Sequence, residues 1–93
     1  MSFEDLRNKT VAITGGAGVI GHALGHGLAT NGMQVGILDL DGEKAQALAD
    51  ELTEQHAVKS VGIQCNVLEK TSIETARDQL VHRFGGLDCL ING

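Results

Sequence analysis

The sequence predicts an α/β fold, in which a parallel β-sheet of strand order 3-2-1-4 lies between two layers of helices. Four short apolar runs lack the polar alternation of half-exposed strands, which is typical of parallel strands buried on both faces. Three amphipathic helical segments separate these runs. Right-handed crossovers between consecutive strands then place helices on both faces of the sheet, which gives a three-layer αβα domain.

The predicted strands follow one another without a linker or a change of composition. Their ranges are Thr10–Thr14, Val35–Leu38, Val61–Cys65 and Leu87–Ile91. We therefore predict a single domain over residues 1–93.

The first predicted helix carries an apolar stripe at helical spacing and ends at Asn31-Gly32, a typical C-terminal signal. The residues predicted to face the sheet are Ile20, Ala23, Leu24, Gly27 and Leu28.

The second and third helices are predicted from their starts and their apolar faces. Asp41 is the predicted N-cap of the second helix, and Thr71-Ser72-Ile73-Glu74 has the pattern of a capping box at the start of the third. Gly85-Gly86 ends the third helix. The predicted buried faces are Ala45, Leu48, Ala49 and Leu52 in the second helix, and Ile73, Ala76, Leu80 and Phe84 in the third.

A glycine-rich run, Thr14-Gly15-Gly16-Ala17-Gly18-Val19-Ile20-Gly21, joins the first strand to the first helix. Its G-x-G-x-x-G spacing is weak evidence alone, but a strand precedes it and a helix follows. The start of a helix offers unpaired N–H groups and a partial positive charge, and a Cβ there would hold a phosphate away from the backbone. We predict that a dinucleotide pyrophosphate binds here. The glycines that admit it are Gly15, Gly16, Gly18 and Gly21, with N–H donors near Val19 and Ile20.

Asp39 lies at the end of the second apolar run, eighteen residues after Gly21. This is where an acid meets the adenosine ribose hydroxyls of NAD. A carboxylate would repel the 2′-phosphate of NADP, and no Arg or Lys stands nearby to attract one, so NAD is the predicted cofactor and NADP the less favoured one. The alternative is a solvated carboxylate at a strand end.

Composition excludes several function classes. Seven basic residues against twelve acidic ones give a net charge of −5, which argues against a nucleic-acid partner. The acidic start, Met1-Ser2-Phe3-Glu4-Asp5, has no apolar signal-peptide core, and no apolar run is long enough to span a membrane. We therefore expect a cytoplasmic protein, with Cys65 and Cys89 as buried free thiols in the core.

His22 and His26 share one helical face at i, i+4 spacing, which zinc sites use. No third ligand is evident in the sequence, so we predict solvated histidines and no metal site.

Methyltransferases that use S-adenosylmethionine also place a glycine loop after the first strand. Their tighter G-x-G-x-G is not met, because position 20 is isoleucine.

Several segments together resemble the short-chain dehydrogenase/reductase family over nearly the whole chain. They are Val11-Ala12-Ile13-Thr14-Gly15-Gly16, Leu38-Asp39-Leu40-Asp41, Cys65-Asn66-Val67, and the run from Phe84 to Gly93. The resemblance implies part of a Rossmann fold that binds NAD. In such a site Asp39 would hold the adenosine ribose with Leu40 beside it, Asn66 and Val67 would hold the adenine, and Asn92 would approach the nicotinamide-side ribose.

The chain departs from the family's usual pattern at three places. Val19 stands where the classical Thr-Gly-x-x-x-Gly-x-Gly has its middle glycine, and the chain instead has Thr-Gly-x-x-Gly-x-x-Gly through Gly18, the spacing of the extended branch. Because Leu87–Asn92 resembles the classical branch, we assign the chain to that branch and expect a local adjustment of the glycine turn. Asn66 replaces the usual Asp, and its carbonyl can still accept from the adenine amino group, although a plain turn role is the alternative. The usual Asn-Asn-Ala-Gly begins as Asn92-Gly93. The glycine turn with Val19, together with Leu90-Ile91-Asn92-Gly93, resembles a subgroup described as fructuronate reductase or mannonate oxidoreductase.

The family's catalysis uses a Tyr-x-x-x-Lys pair, and this chain contains no tyrosine. We therefore predict no catalytic residue in this stretch and no turnover by the 93 residues alone. The fourth strand would leave an apolar edge unpaired, so we expect the N-terminal portion of a longer fold that self-associates or is poorly stable when isolated. The full-length protein would act on an alcohol or carbonyl substrate and form a homo-oligomer. The alternative is a non-catalytic nucleotide-binding or interaction module.

Overall fold

The computed structural model describes residues 7–92, which form four strands and three helices. In chain order they are β1 (Thr10–Thr14), α1 (Val19–Thr30), β2 (Gln34–Asp39), α2 (Gly42–His56), β3 (Ser60–Gln64), α3 (Lys70–Phe84) and β4 (Cys89–Asn92).

The strands form one parallel sheet of order β3-β2-β1-β4, which confirms the predicted topology. Ile13 on β1 lies beside Ile37 on β2 and Ile91 on β4, so the three strands end at nearly the same level. Because all strands run in one direction, their carboxyl ends meet at one edge of the sheet.

Each face of the sheet has its own apolar cluster, because successive side chains of a strand point to opposite faces. Ile13 and Ile37 pack with Leu52 of α2 on the face that α1 and α2 cover. Leu38 packs with Leu80 of α3 on the other face. This arrangement confirms the three-layer αβα architecture and the predicted buried faces of α2 and α3.

The predicted buried face of α1 is wrong for three of its five residues. The helix buries Gly21, Gly25 and Ala29, whereas Ile20 is 71% exposed. Ala23 and Gly27 are also exposed, and Leu24 and Leu28 are half-buried. The physical reason is distance: an added Cβ on Gly25 would already lie 3.4 Å from Leu52 Cδ1. Small residues let α1 lie close to the sheet and α2, while Leu24 and Leu28 pack at the margin of the core and Val19 and Ile20 are exposed.

The start of α3 also differs from the prediction. The helix begins at Lys70 with Glu69 as an N-cap that makes no side-chain hydrogen bond. The predicted capping box is therefore wrong. Ser72 Oγ accepts a hydrogen bond from the backbone N–H of Asn66 at 2.9 Å, so this hydroxyl joins the helix to the preceding loop instead.

Strand β4 begins at Cys89 rather than at Leu87. Asp88, the residue before the strand, makes two hydrogen bonds to the first residue of β1. Its N–H donates to the Thr10 carbonyl at 2.9 Å, and its carboxylate accepts from the Thr10 N–H at 2.8 Å. Cys65 is buried as predicted, but Cys89 is exposed, so its predicted burial is wrong. The reason is that, among the strands of residues 7–92, β4 lies at the edge of the sheet and has β1 as its one neighbour. Within residues 7–92, no helix is long and apolar enough to cross a membrane.

The N-cap of α2 supports a first testable prediction. Asp41 Oδ1 accepts a hydrogen bond from the Lys44 N–H at 3.0 Å, as predicted from the sequence. We expect Asp41→Ala to lower the free energy of unfolding by about 1 kcal/mol, since an N–H at the helix start loses its partner. Urea unfolding measures the change. Glu54→Ala, at an exposed position on the same helix, is the control, and an equal loss in both variants would contradict the capping role.

Candidate functional site

The predicted site residues come together at the edge of the sheet where the strands end. Strand β1 ends at Thr14, β2 at Asp39 and β4 at Asn92. The strand order reverses between β1 and β4, since the chain moves from β1 to β2 on one side and later returns to add β4 on the other. Crevices at such reversal points are the usual ligand sites of open α/β sheets.

The glycine-rich turn after β1 has a shape that only glycines permit at three positions. Gly15 has a φ of +65°, in the left-handed region that favours glycine. A Cβ on Gly16 would lie 2.9 Å from the Ile13 carbonyl oxygen. A Cβ on Gly21 would lie 2.4 Å from the Cα of Gly16, so the first turn of α1 contacts the loop backbone directly. These three glycines fix the approach of α1 to the sheet.

Gly18 is different, because packing within the chain does not require a glycine there. Its φ is −76°, and an added Cβ would meet only the Gly15 carbonyl oxygen, at 3.5 Å. Gly18 is the N-cap of α1 and provides no side-chain hydrogen bond to the helix. The first N–H groups of a helix have no partner within it. With Val19 89% exposed, this helix start is open to solvent, which is what binding of an anion at a helix start requires.

Asp39 is held against the glycine-rich turn. Its Oδ2 accepts from the Ala17 N–H at 3.2 Å, and its Oδ1 accepts from the Asp41 N–H at 3.0 Å. Asp39 is half-buried, and Leu40 beside it is exposed. The structure thus brings Asp39 and the pyrophosphate candidates to one place, with the carboxylate fixed by two backbone donors.

Asn92 is linked to β1 by Thr14, a residue to which the sequence analysis assigned no role. Thr14 Oγ1 donates to Asn92 Oδ1 at 3.1 Å, and Ile91 O lies 3.4 Å from the same hydroxyl. Thr14 is buried whereas Asn92 is exposed. The sequence feature that could have identified Thr14 is its position as the first residue of the glycine-rich run. Its hydroxyl positions Asn92 beside the strand-order reversal.

Asn66 forms a turn after β3. Its Oδ1 accepts from the Leu68 N–H at 3.0 Å, and its Nδ2 lies 3.3 Å from Glu69 Oε1. The structure therefore shows the turn role that the sequence left open, while an adenine contact stays a prediction. Val67, next to it, is exposed at the same edge of the sheet.

A second polar cluster lies between α1 and α2, and the sequence analysis missed two of its members. His22 Nε2 lies 2.9 Å from Glu51 Oε2, and His26 Nε2 contacts the same oxygen. His26 Nδ1 lies 2.9 Å from His56 Nε2. The prediction of a solvated histidine agrees with the 51% exposure of the His22 side chain. It is wrong for His26, which is 23% exposed and has Glu51 and His56 of α2 against it. The hydrogen bond with His26, followed by the charge of His22, lowers the pKa of the Glu51 carboxyl, and partial burial opposes this.

Comparison with known proteins agrees with the fold. Residues 9–93 match the family described as short chain dehydrogenase. The uncharacterized oxidoreductase UxuB of Bacillus subtilis is 40% identical over 90 residues, which are 97% of this chain and 32% of that protein.

Two solved structures have the same fold over most of this chain. An NADPH-dependent 3-quinuclidinone reductase from Rhodotorula rubra superimposes with a TM-score of 0.87 at 34% identity, over 96% of this chain and 35% of the other. A protein from Haemophilus influenzae proposed to be a D-mannonate oxidoreductase, with bound NAD, has a TM-score of 0.84 at 36% identity, over 91% and 30% of the two chains.

The chain spans about a third of the length of these relatives. The family match covers nearly all of this chain, and the fold agrees with that of solved NAD- and NADPH-linked enzymes. The chain therefore belongs to the short chain dehydrogenase family of oxidoreductases, with a Rossmann fold of the kind that binds nicotinamide cofactors.

Proposed function

We propose that this chain forms the NAD-binding part of a dehydrogenase or reductase that transfers hydride between NAD(H) and an alcohol or carbonyl compound. The observation that supports this most is Gly18, which is glycine although the protein's own packing leaves room for a Cβ. The space that a Cβ would occupy lies at the uncapped start of α1, where a pyrophosphate would approach.

The residues divide the work of holding the cofactor. The N–H groups of Val19 and Ile20 would donate to the pyrophosphate, and the dipole of α1 would favour its negative charge. Asp39 would accept hydrogen bonds from the adenosine ribose hydroxyls, since a carboxylate has acceptor capacity beyond the two backbone donors that already fix it. Asn92 would contact the nicotinamide-side ribose, steadied by Thr14. When bound, the nicotinamide supplies or accepts the hydride.

The proton that accompanies hydride transfer needs an acid or base, and residues 1–93 contain no tyrosine for the family's Tyr-x-x-x-Lys pair. We propose that this group lies outside these residues in the natural protein and that the 93-residue chain alone gives no turnover. For the substrate we propose a sugar acid. Support comes from the resemblance of Leu90-Ile91-Asn92-Gly93 to mannonate oxidoreductases and from the similarity to the Haemophilus influenzae protein.

The choice between NAD and NADP is the experiment that tests the role of Asp39. In the natural protein we expect NAD+ to bind at least about tenfold more tightly than NADP+, because the carboxylate repels a 2′-phosphate by more than about 1.4 kcal/mol. Asp39→Asn keeps an oxygen that can accept from Ala17 but removes the charge, so it should narrow this ratio severalfold. Asp39→Ala should narrow it as well. Calorimetric titration with each cofactor gives the ratio.

The control is Asp50→Asn, which removes a carboxylate from an exposed position on α2 and should leave the ratio unchanged. Equal affinities for NAD+ and NADP+ in the unmutated protein would remove the assignment of Asp39 to the ribose. Absence of binding by either cofactor would favour the alternative, an interaction module.

A further inference from the structure

The cluster between α1 and α2 brings together side chains that lie far apart in the sequence. His22 and His26 are one helical turn apart on α1, and Glu51 comes from the third turn of α2. Both imidazoles present Nε2 to the same carboxylate oxygen, Glu51 Oε2. One ligand atom from each of the three residues lies within 4.8 Å of the other two.

These distances suit a small divalent cation. A tetrahedral Zn²⁺ with bonds of about 2.0–2.2 Å holds its ligand atoms roughly 3.3 Å apart. The ligand atoms here already lie within 4.8 Å of one another, and the i, i+4 spacing presents both histidines on one face of the helix. Small side-chain rotations would open their spacing to that of a bound ion. Imidazole nitrogen and carboxylate oxygen are the ligand types that Zn²⁺ and its neighbours in the first transition row accept.

His56 makes a contact with His26 that a simple ion pair between a histidine and Glu51 would not require. Its Nε2 lies 2.9 Å from Nδ1 of His26, the ring nitrogen that points away from Glu51. A metal-bound histidine usually donates its second N–H to a neighbouring acceptor, which fixes the tautomer and the ring orientation. With a metal on Nε2, His26 would carry its proton on Nδ1, and this N–H would donate a hydrogen bond to Nε2 of His56. The cluster thus contains both the ligands and the partner that orients one of them.

We propose that His22, His26 and Glu51 form a binding site for a divalent transition-metal ion of the zinc class, with His56 as a positioning residue for His26. His22 is half-exposed, so solvent completes the coordination. The site is separate from the nucleotide site, but its first ligand directly follows Gly21. The His22 N–H also donates to the Gly18 carbonyl at 2.8 Å. A bound ion would fasten the first turns of α1 to α2.

The test uses the natural protein without a histidine tag, freed of metal by a chelator, and Zn²⁺ as the probe. Calorimetric titration should give about one Zn²⁺ per chain. His22→Gln, His26→Gln and Glu51→Gln should each weaken binding at least about tenfold. His56→Ala should weaken it less, and His56→Gln, which retains an acceptor, should recover part of the loss. His82→Gln removes an exposed histidine from α3, on the opposite face of the sheet, and should change nothing.

Thermal unfolding keeps the proposal testable if a variant folds poorly. Zn²⁺ should raise the Tm of the unmutated protein and of His82→Gln, because an ion that binds only the folded state stabilises it. Visible absorption of the unmutated protein with Co²⁺ should show the bands of a tetrahedral or five-coordinate site with nitrogen ligands. Absence of Zn²⁺ binding, or binding that His22→Gln and His26→Gln leave intact, would overturn the proposal and leave a hydrogen-bonded link between α1 and α2.

Discussion

Replacement of Gly21 by alanine is expected to lower the free energy of unfolding by about 1–3 kcal/mol, the range for overpacking a tight contact. The added Cβ would lie 2.4 Å from the Cα of Gly16 and 2.5 Å from its carbonyl oxygen. Both are backbone atoms, so no side-chain rotation relieves the clash. Either α1 moves away from the sheet or the glycine-rich turn deforms, and in both cases NAD affinity should fall with stability.

Gly27→Ala is the matched control on the same helix. A Cβ at this position meets nothing within 4 Å, and alanine is favoured over glycine inside a helix by about 0.5–1 kcal/mol. Urea unfolding should therefore show opposite signs for the two substitutions. A Gly21→Ala variant as stable as the unmutated protein would mean that α1 does not contact the turn as described.

The second large effect is expected from Gly18→Val, this time on binding and not on folding. A Cβ at this exposed position would meet only the Gly15 carbonyl oxygen, at 3.5 Å, so the unfolding free energy should change by about 1 kcal/mol, the scale of an N-cap substitution. NAD affinity should fall at least about tenfold, since the branched side chain occupies the path of the pyrophosphate to the N–H groups of α1.

Gly27→Val provides the comparison for this variant, because it adds the same side chain to an open position on the same helix. It should leave NAD affinity unchanged. If Gly18→Val and the unmutated protein bind NAD equally well, the pyrophosphate does not approach the start of α1. If NAD affinity falls as expected, the two glycines have separate roles: Gly21 is needed for packing and Gly18 for binding the ligand.

The sequence predicts the sheet and α2 well because their signals are local. The apolar face of α2 repeats at 3.6-residue spacing, and Asp41 caps its start, so periodicity and capping agree. The four strands are continuous apolar runs, and crossover handedness then determines their order. The ends of the strands are predicted within two residues. The start of β4 is predicted two residues too early, and Asp88, just before the strand, makes hydrogen bonds to Thr10 that no local sequence pattern reveals.

The face of α1 is mispredicted for a physical reason. Hydrophobic periodicity weighs large apolar residues, whereas the close contact with the sheet requires small ones, Gly21 and Gly25. Val19 and Ile20 consequently point outward. The glycine pattern itself contained this information, since a glycine within a helix is costly unless another backbone or side chain approaches closely.

The candidate nucleotide site is predicted residue by residue, and the structure brings its members to one edge of the sheet. What the sequence does not provide is how they are held. Ala17 fixes Asp39, and Thr14 positions Asn92, through contacts that span 22 and 78 positions along the chain. The histidine cluster is missed for the same reason, because Glu51 lies 25 positions after His26.

The most direct test is a titration of ¹⁵N-labelled natural protein with NAD+, followed by amide chemical shifts. We expect saturable shifts that are largest at the N–H groups of Gly18, Val19 and Ile20, with a second group of shifts at Ala17 and Asp41, whose N–H groups donate to Asp39. The N–H groups of Val19 and Ile20 would donate to the pyrophosphate, and Gly18 lies beside them. The N–H groups of Ala17 and Asp41 would report the ribose indirectly, because they donate to the Asp39 carboxylate that would accept the ribose hydrogen bonds. Saturable shifts confined to other parts of the chain, or none at all, would contradict nucleotide binding at the start of α1.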